Sequence, residues 1–145
     1  MIQLFYCSIS MTESEARQLA TRFGDDDLKM LGLPCSGKIT IPYLVKAFES
    51  GADGVVLCGC LPQDCRNLEG ALRASKRAQA VEALMEEVGL GKNRVLSVAK
   101  RQGSIEEVVM KIEQFQNQLQ TATAQIAVLR KESTAGTRAR RENAA

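Results

Sequence analysis

Between Gly51 and Gly59 the chain reads GADGVVLC, and the unbroken apolar run Val55, Val56, Leu57 and Cys58 restricts the fold more than any other feature. A strand with one wet face alternates polar and apolar residues. A run without a polar position has to be covered on both faces, which is the situation inside a parallel sheet flanked by helices. Three further runs read as strands: Ile2–Cys7, 28–34 closing at Pro34, and 95–99. Helical segments fall between them. Thr12 and Glu15 form a capping box for a helix over 12–23 with Gly24 at its exit, Thr40 caps 41–50 with Pro42 in the first turn, and 67–88 is closed by Gly89 and Gly91. Strict alternation of strand and helix predicts right-handed crossovers. The expected architecture is a small four-stranded, flavodoxin-like α/β domain over residues 1–103, with strand order 2-1-3-4 by analogy.

A long C-terminal helix follows, with Ser104 and Glu107 as a second capping box. Its apolar positions are Ile105, Val108, Ile112, Phe115, Leu119, Ala122, Ile126 and Leu129, spaced alternately by three and four. The first half is expected to pack on the sheet. Beyond about Gln116 the stripe exceeds what a small domain needs, so within 104–132 it reads either as a handle for another subunit or as a helix folding back on its own domain. Residues 133–145, with Arg138, Arg140 and Arg141 among small residues, read as a flexible tail.

The 145 residues include five cysteines and no histidine, and the formal net charge is +2. The missing histidine excludes His-ligated zinc, haem and Rieske-type centres, and with them any Ser–His or Cys–His catalytic pair. The small charge and the lack of a basic, aromatic-interleaved stripe argue against nucleic acid. No apolar run reaches the roughly 18–20 residues of a membrane span. The start lacks the basic segment of a secretory signal, so a cytoplasmic location is expected, where clustered thiols serve as metal ligands or redox groups more often than as disulfides.

The positions of those thiols carry the functional argument. Cys7 ends the first strand, Cys35 follows the second, Cys58 and Cys60 end the third, and Cys65 lies in the next loop. In a parallel sheet all carboxyl ends share one edge, which is also where open α/β sheets bind ligands. Four or more thiolates on one edge make a soft-metal site. The spacing C-x27-C-x22-C-x-C-x4-C lacks the paired knuckles usual for zinc and leans towards an iron–sulfur cluster assembled from several loops. Ser36, Gly37, Gly59 and Pro62 suit close backbone approach and N–H donation to sulfur. Buried, inert core cysteines remain the alternative. A thiol–disulfide enzyme using Cys60 and Cys65 is disfavoured by the spacing and by the lack of C-x-x-C at a helix start.

Other residues have two readings each. Arg73, Lys76 and Arg77 form a basic cluster suited to an acidic partner surface or a phosphate-bearing cofactor, or are simply a solvated helix face. Asp64 and Asn67 read first as helix caps. Gly70 permits close approach of another backbone, although one helical glycine is a weak signal. Tyr6 and Tyr43 read as core and rim.

The stretch LPCSGKITIPYLVKAFESGADGVVLCGCLPQDCRNLEGALRASKRAQAVEALMEEVGL resembles the iron–sulfur delta subunit family of methyl-viologen-reducing hydrogenase. CSG, GADGV and GC followed by P-x-D-C occur in order, and FYC near the start fits the family's first cysteine. The resemblance implies an accessory subunit with one [2Fe–2S] cluster, relaying electrons to or from a flavin-containing heterodisulfide-reductase A-type protein within a multi-subunit oxidoreductase. Carried across by position, Cys35, Cys60 and Cys65 match family cysteines, and Cys7 matches the first of an amino-terminal C-x-x-C. Ser10 stands where the second of that pair is expected, Cys58 is an addition, and Arg66 replaces a usual histidine. Three outcomes follow: Cys7 or Cys58 completes the set, Ser10 ligates through oxygen, or the chain is a cluster-free adaptor. Cys58 is expected deepest and last in the order of ligands, although it shares a strand face with Cys60.

Overall fold

The computed structural model describes the backbone of residues 1–142 apart from Gln102 and Ser104, and side chains as far as Gln125. In chain order the elements are β1 (Ile2–Cys7), α1 (Glu13–Phe23), β2 (Leu28–Leu33), α2 (Ile41–Glu49), β3 (Gly54–Cys60), α3 (Gly70–Glu87), β4 (Val95–Lys100) and α4 (Ile105–Glu142). Short 3-10 turns occupy Ser36–Lys38 and Pro62–Asp64. The sheet order is β2-β1-β3-β4 and every pairing is parallel, as expected.

β3 shows why its sequence has no polar position. Val55 and Leu57 enter a core shared with Leu44 and Ala47 of α2 and Ala74, Ala78 and Val81 of α3. Val56 and Cys58 enter the opposite core with Ala16 and Leu19 of α1 and Val108, Ile112 and Phe115 of α4. The strand runs two residues past the apolar run, because Gly59 and Cys60 find ladder partners in Ala99 and Lys100. β4 likewise ends at Lys100 rather than at 99.

Capping was partly legible. Thr12 and Glu15 form the expected box. Thr40 occupies the cap position of α2, but its side chain makes no cap hydrogen bond; its carbonyl accepts the amides of Tyr43 and Leu44 instead. α3 begins at Gly70 rather than 67, since the amide of Leu68 turns back to the Cys65 carbonyl and that of Gly70 to Asn67. Asp64 lies in the preceding 3-10 turn, so neither Asp64 nor Asn67 caps α3.

α4 packs on the sheet as far as Leu119, three residues past the expected boundary. Gly54 makes this possible: a β-carbon there would stand 2.5 Å from Leu119 Cδ1 and 2.8 Å from the Phe115 ring. The backbone stays helical to Glu142, through the stretch 133–142 that the sequence suggests as tail. Apart from Gly136, most of that stretch consists of adequate or strong helix formers. The expected Ser104 cap and the side chains of Ile126 and Leu129 fall outside the described residues, as do residues 143–145. Among the described residues no helix is long and apolar enough to cross a membrane.

If the first half of α4 belongs to the core, Ile112→Ala should lower unfolding free energy by about 2–5 kcal/mol in urea titration. Ile112 is fully buried.

Candidate functional site

The carboxyl ends of β1 and β3 lie side by side because the two strands pair in register from Ile2 opposite Gly54 to Tyr6 opposite Cys58. Just past that ladder, with Cys7 one residue beyond Tyr6 and Cys60 two beyond Cys58, the two sulfurs stand 3.6 Å apart. Cys7 Sγ also faces the Pro34 carbonyl at 3.9 Å, at the exit of β2. Cys35 lies directly after that exit and accepts the Gly37 amide on its sulfur at 3.4 Å.

Cys35 and Cys65 are brought together by a missing side chain. A β-carbon on Gly70 would sit 2.7 Å from Cys35 Sγ and 3.4 Å from Cys65 Sγ, so both sulfurs lie against the same point of the α3 backbone. A β-carbon on Gly37 would sit 2.7 Å from Gly70 Cα. The Cys35 loop and the first residue of α3 therefore meet backbone to backbone, the close approach that Gly70 hinted at. Arg77 holds this contact. Its guanidinium donates from Nη1 to the carbonyls of Gly37 and Ile39 at 2.7 and 2.6 Å. Arg77 is thus a brace for the Cys35 loop and not a free charge for a partner, while Arg73 pairs with Glu69 at 2.8 Å.

The electrostatics tie the four thiols into one group. Burial, then the hydrogen bond to Cys7, then the potentials of Cys7, Cys65 and Cys35 push the Cys60 thiol up to about 12. A thiol placed as Cys60 is resists becoming a thiolate unless a cation compensates it. Cys7, Cys35 and Cys60 are buried and Cys65 is half-buried. The donor set, three buried sulfurs and one nearer the surface around glycine backbone, fits a soft metal or cluster. Among the described residues no three His, Cys, Asp or Glu side chains are arranged around a single metal ion.

The fifth thiol is elsewhere. Cys58 is completely buried in the apolar core beside Val56 and Val98, and burial, opposed by Lys100, pushes it up to about 12. Ser10 is buried too, and its hydroxyl donates to the Cys7 carbonyl at 3.0 Å.

Sequence reasoning missed the charge beside the rim. Lys100 pairs in register with Cys60, and its side chain is fully buried. Its ammonium donates to Glu15 Oε1 at 2.8 Å, to the Ser10 carbonyl at 2.9 Å and to the Arg101 carbonyl at 3.0 Å. Burial alone would raise the Glu15 carboxyl, but Lys100 and the Thr12 donors outweigh it and hold Glu15 below its ordinary value. The signal was available: period two from Leu96 and Val98 turns Lys100 inward, and an inward lysine needs a partner.

A doubly covered parallel sheet with four thiols gathered at its carboxyl rim defines a cysteine-rimmed α/β protein. The chain belongs to the methyl-viologen-reducing hydrogenase delta subunit family, whose model matches residues 2–122. It is 35% identical over 68 residues to the vhu-type iron-sulfur subunit of the F420-non-reducing hydrogenase of Methanocaldococcus jannaschii, covering 47% of this chain and 51% of that one. Identity is 37% over 68 residues to the corresponding F420-non-reducing hydrogenase iron-sulfur subunit of Archaeoglobus profundus, covering 47% and 50%. A further match, 29% identical over 69 residues, is to the A component of the ferredoxin:CoB-CoM heterodisulfide reductase of Methanosarcina mazei; it covers 48% of this chain and only 9% of that protein. The chain thus matches about half the length of the hydrogenase subunits it resembles.

Two substitutions test the architecture of the site. Gly70→Ala should cost about 1–3 kcal/mol through overpacking against Cys35, read by chemical denaturation. Lys100→Met should cost about 3 kcal/mol at pH 7 by stranding Glu15. Because the folded Glu15 carboxyl titrates below its ordinary 4.5, the contribution of the pair is in place above that pH and disappears as pH falls through the lowered value. Stability measured from pH 7 to 2 should therefore fall less steeply in Lys100→Met than in the parent.

Proposed function

We propose that this chain is an electron-transfer subunit holding one [2Fe–2S] cluster on Cys7, Cys35, Cys60 and Cys65. The observation that carries the reading is the arrangement of the four sulfurs as two pairs. Cys7 and Cys60 stand 3.6 Å apart, and Cys35 and Cys65 share the Gly70 backbone. A two-iron core takes two thiolates on each iron, so a two-plus-two arrangement suits it better than it suits a single ion. The iron-sulfur subunits among the relatives point the same way.

When bound, such a cluster accepts and returns one electron at a time. The chain supplies four ligands, an amide donor from Gly37 to the Cys35 sulfur, and burial that keeps water from three of the sulfurs. The hydrogen bond and the exclusion of water are the usual means of setting a cluster's potential. Ser10 is not needed as a ligand: its hydroxyl is committed to the Cys7 carbonyl, and four thiols suffice without it. Cys58 serves the core.

We assign as partner a flavin-containing protein of the heterodisulfide-reductase A type, within a larger cytoplasmic oxidoreductase. A segment similar to this chain forms 9% of the A component of one heterodisulfide reductase, so a module of this kind occurs inside that polypeptide. Covalent linkage raises the effective concentration of two modules for each other, which is of use where they work together.

Protein purified without air should contain about two irons and two sulfides per chain and bleach on dithionite. Cys60→Ser should lose most of that iron, whereas Cys58→Ala should keep it while losing stability to a core cavity. Equal iron in Cys60→Ser and the parent, or loss of iron in Cys58→Ala with the fold intact by circular dichroism, would overturn the ligand assignment.

A further inference from the structure

Leu68 combines two features that folding alone does not reward. Its backbone has φ 52, in the left-handed region that leucine seldom adopts, and its side chain is 85% exposed. A glycine or asparagine would make the same turn with less strain and without an apolar group in water. Leu68 follows Cys65 by three residues and, with Lys38, Glu69 and Arg73, lines a cleft of about 410 Å³ that ends on Cys35. Leu72, at the start of α3, is half exposed on the same end of the molecule.

The charges around this knob are mostly positive. Arg73 is neutralised by Glu69, which leaves Lys38 in the lining of the cleft, Arg66 two residues before Leu68, and Lys76 one turn beyond Leu72. All three are exposed, and apart from the paired Glu69 the one acidic side chain between Leu61 and Gly70 is Asp64. An apolar projection with exposed cations in its cleft and along the adjoining chain fits a socket that is apolar at its centre and carboxylate-rich at its edge.

We propose that Leu68, with the exposed cations Lys38, Arg66 and Lys76, forms the docking surface for the redox partner, a protein with an acidic-rimmed apolar socket. The surface rests on the electron-transfer reading above and deepens it by placing the partner over Cys35 and Cys65. Leu68 is the anchor, because a single apolar group fully covered on binding contributes far more than rim contacts. The lysines and arginine act chiefly on association rate and salt dependence.

The test uses full-length, anaerobically prepared protein and a purified heterodisulfide-reductase A-type flavoprotein, with affinity measured by biolayer interferometry and iron counted on the same samples. Leu68→Gly relieves the backbone, so it should keep its iron and melt no lower than the parent while binding at least tenfold more weakly. Arg66→Glu with Lys38→Glu should slow association several-fold and flatten its dependence on salt. Unchanged affinity in Leu68→Gly and in Leu68→Asp would overturn the surface and leave the electron-transfer reading standing. A parent that carries iron yet binds no such flavoprotein would overturn the partner as well. Self-association of the parent that Leu68→Asp abolishes would also overturn the proposal, by assigning the knob to a second copy of the chain.

Discussion

At Gly37 and Gly70 two stretches of backbone meet with no side chain between them, and the placement of Cys35 and Cys65 depends on that contact. Parallel pairing of β1 with β3 brings together the strand ends that carry Cys7 and Cys60. Cys35 and Cys65 have no such guide. They come from two loops that must be pulled over the rim, and the approach of the Cys35 loop to the start of α3 does this. Arg77 reaches across from α3 to fix it through two carbonyls. The site is thus half sheet and half loop, and the loop half is where substitutions should be least forgiving.

On the far side of the rim, a buried ion pair does for the Cys7 turn what Arg77 does for the Cys35 loop. Lys100 bonds the Ser10 carbonyl, and Ser10 bonds the Cys7 carbonyl in turn. Removing charge from such a place strands its partner, so the pair constrains the chain even if it contributes little net stability when intact. Ser10 has become part of this frame.

The fold was legible because its main signals are local. An apolar run with no polar break means two covered faces, and alternation of strand and helix means parallel pairing; both hold for β3 and its neighbours. The cysteines could be placed on the rim for the same reason, as residues at or just past strand ends. Less legible was anything set by long-range contact. α3 starts later than its sequence suggests because turns at Cys65 and Asn67 consume the residues expected as its first turn. In the sequence Arg77 groups with its basic neighbours, since spacing on a helix does not show that one of three cations reaches a loop forty residues away. The inward turn of Lys100 can be counted off along β4, but its partner Glu15 lies 85 residues earlier, and nothing in either segment names the other.

The contact between Gly37 and Gly70 has one more consequence. Where side chains frame a redox group, each rotatable bond can respond when charge arrives, and that response adds to the barrier. Two bare backbones, one of them the start of an 18-residue helix, have no rotamers with which to answer. A wall built this way has little freedom to change shape, and with the proposed cluster in place that stiffness would lower the reorganisation cost of electron transfer in both directions.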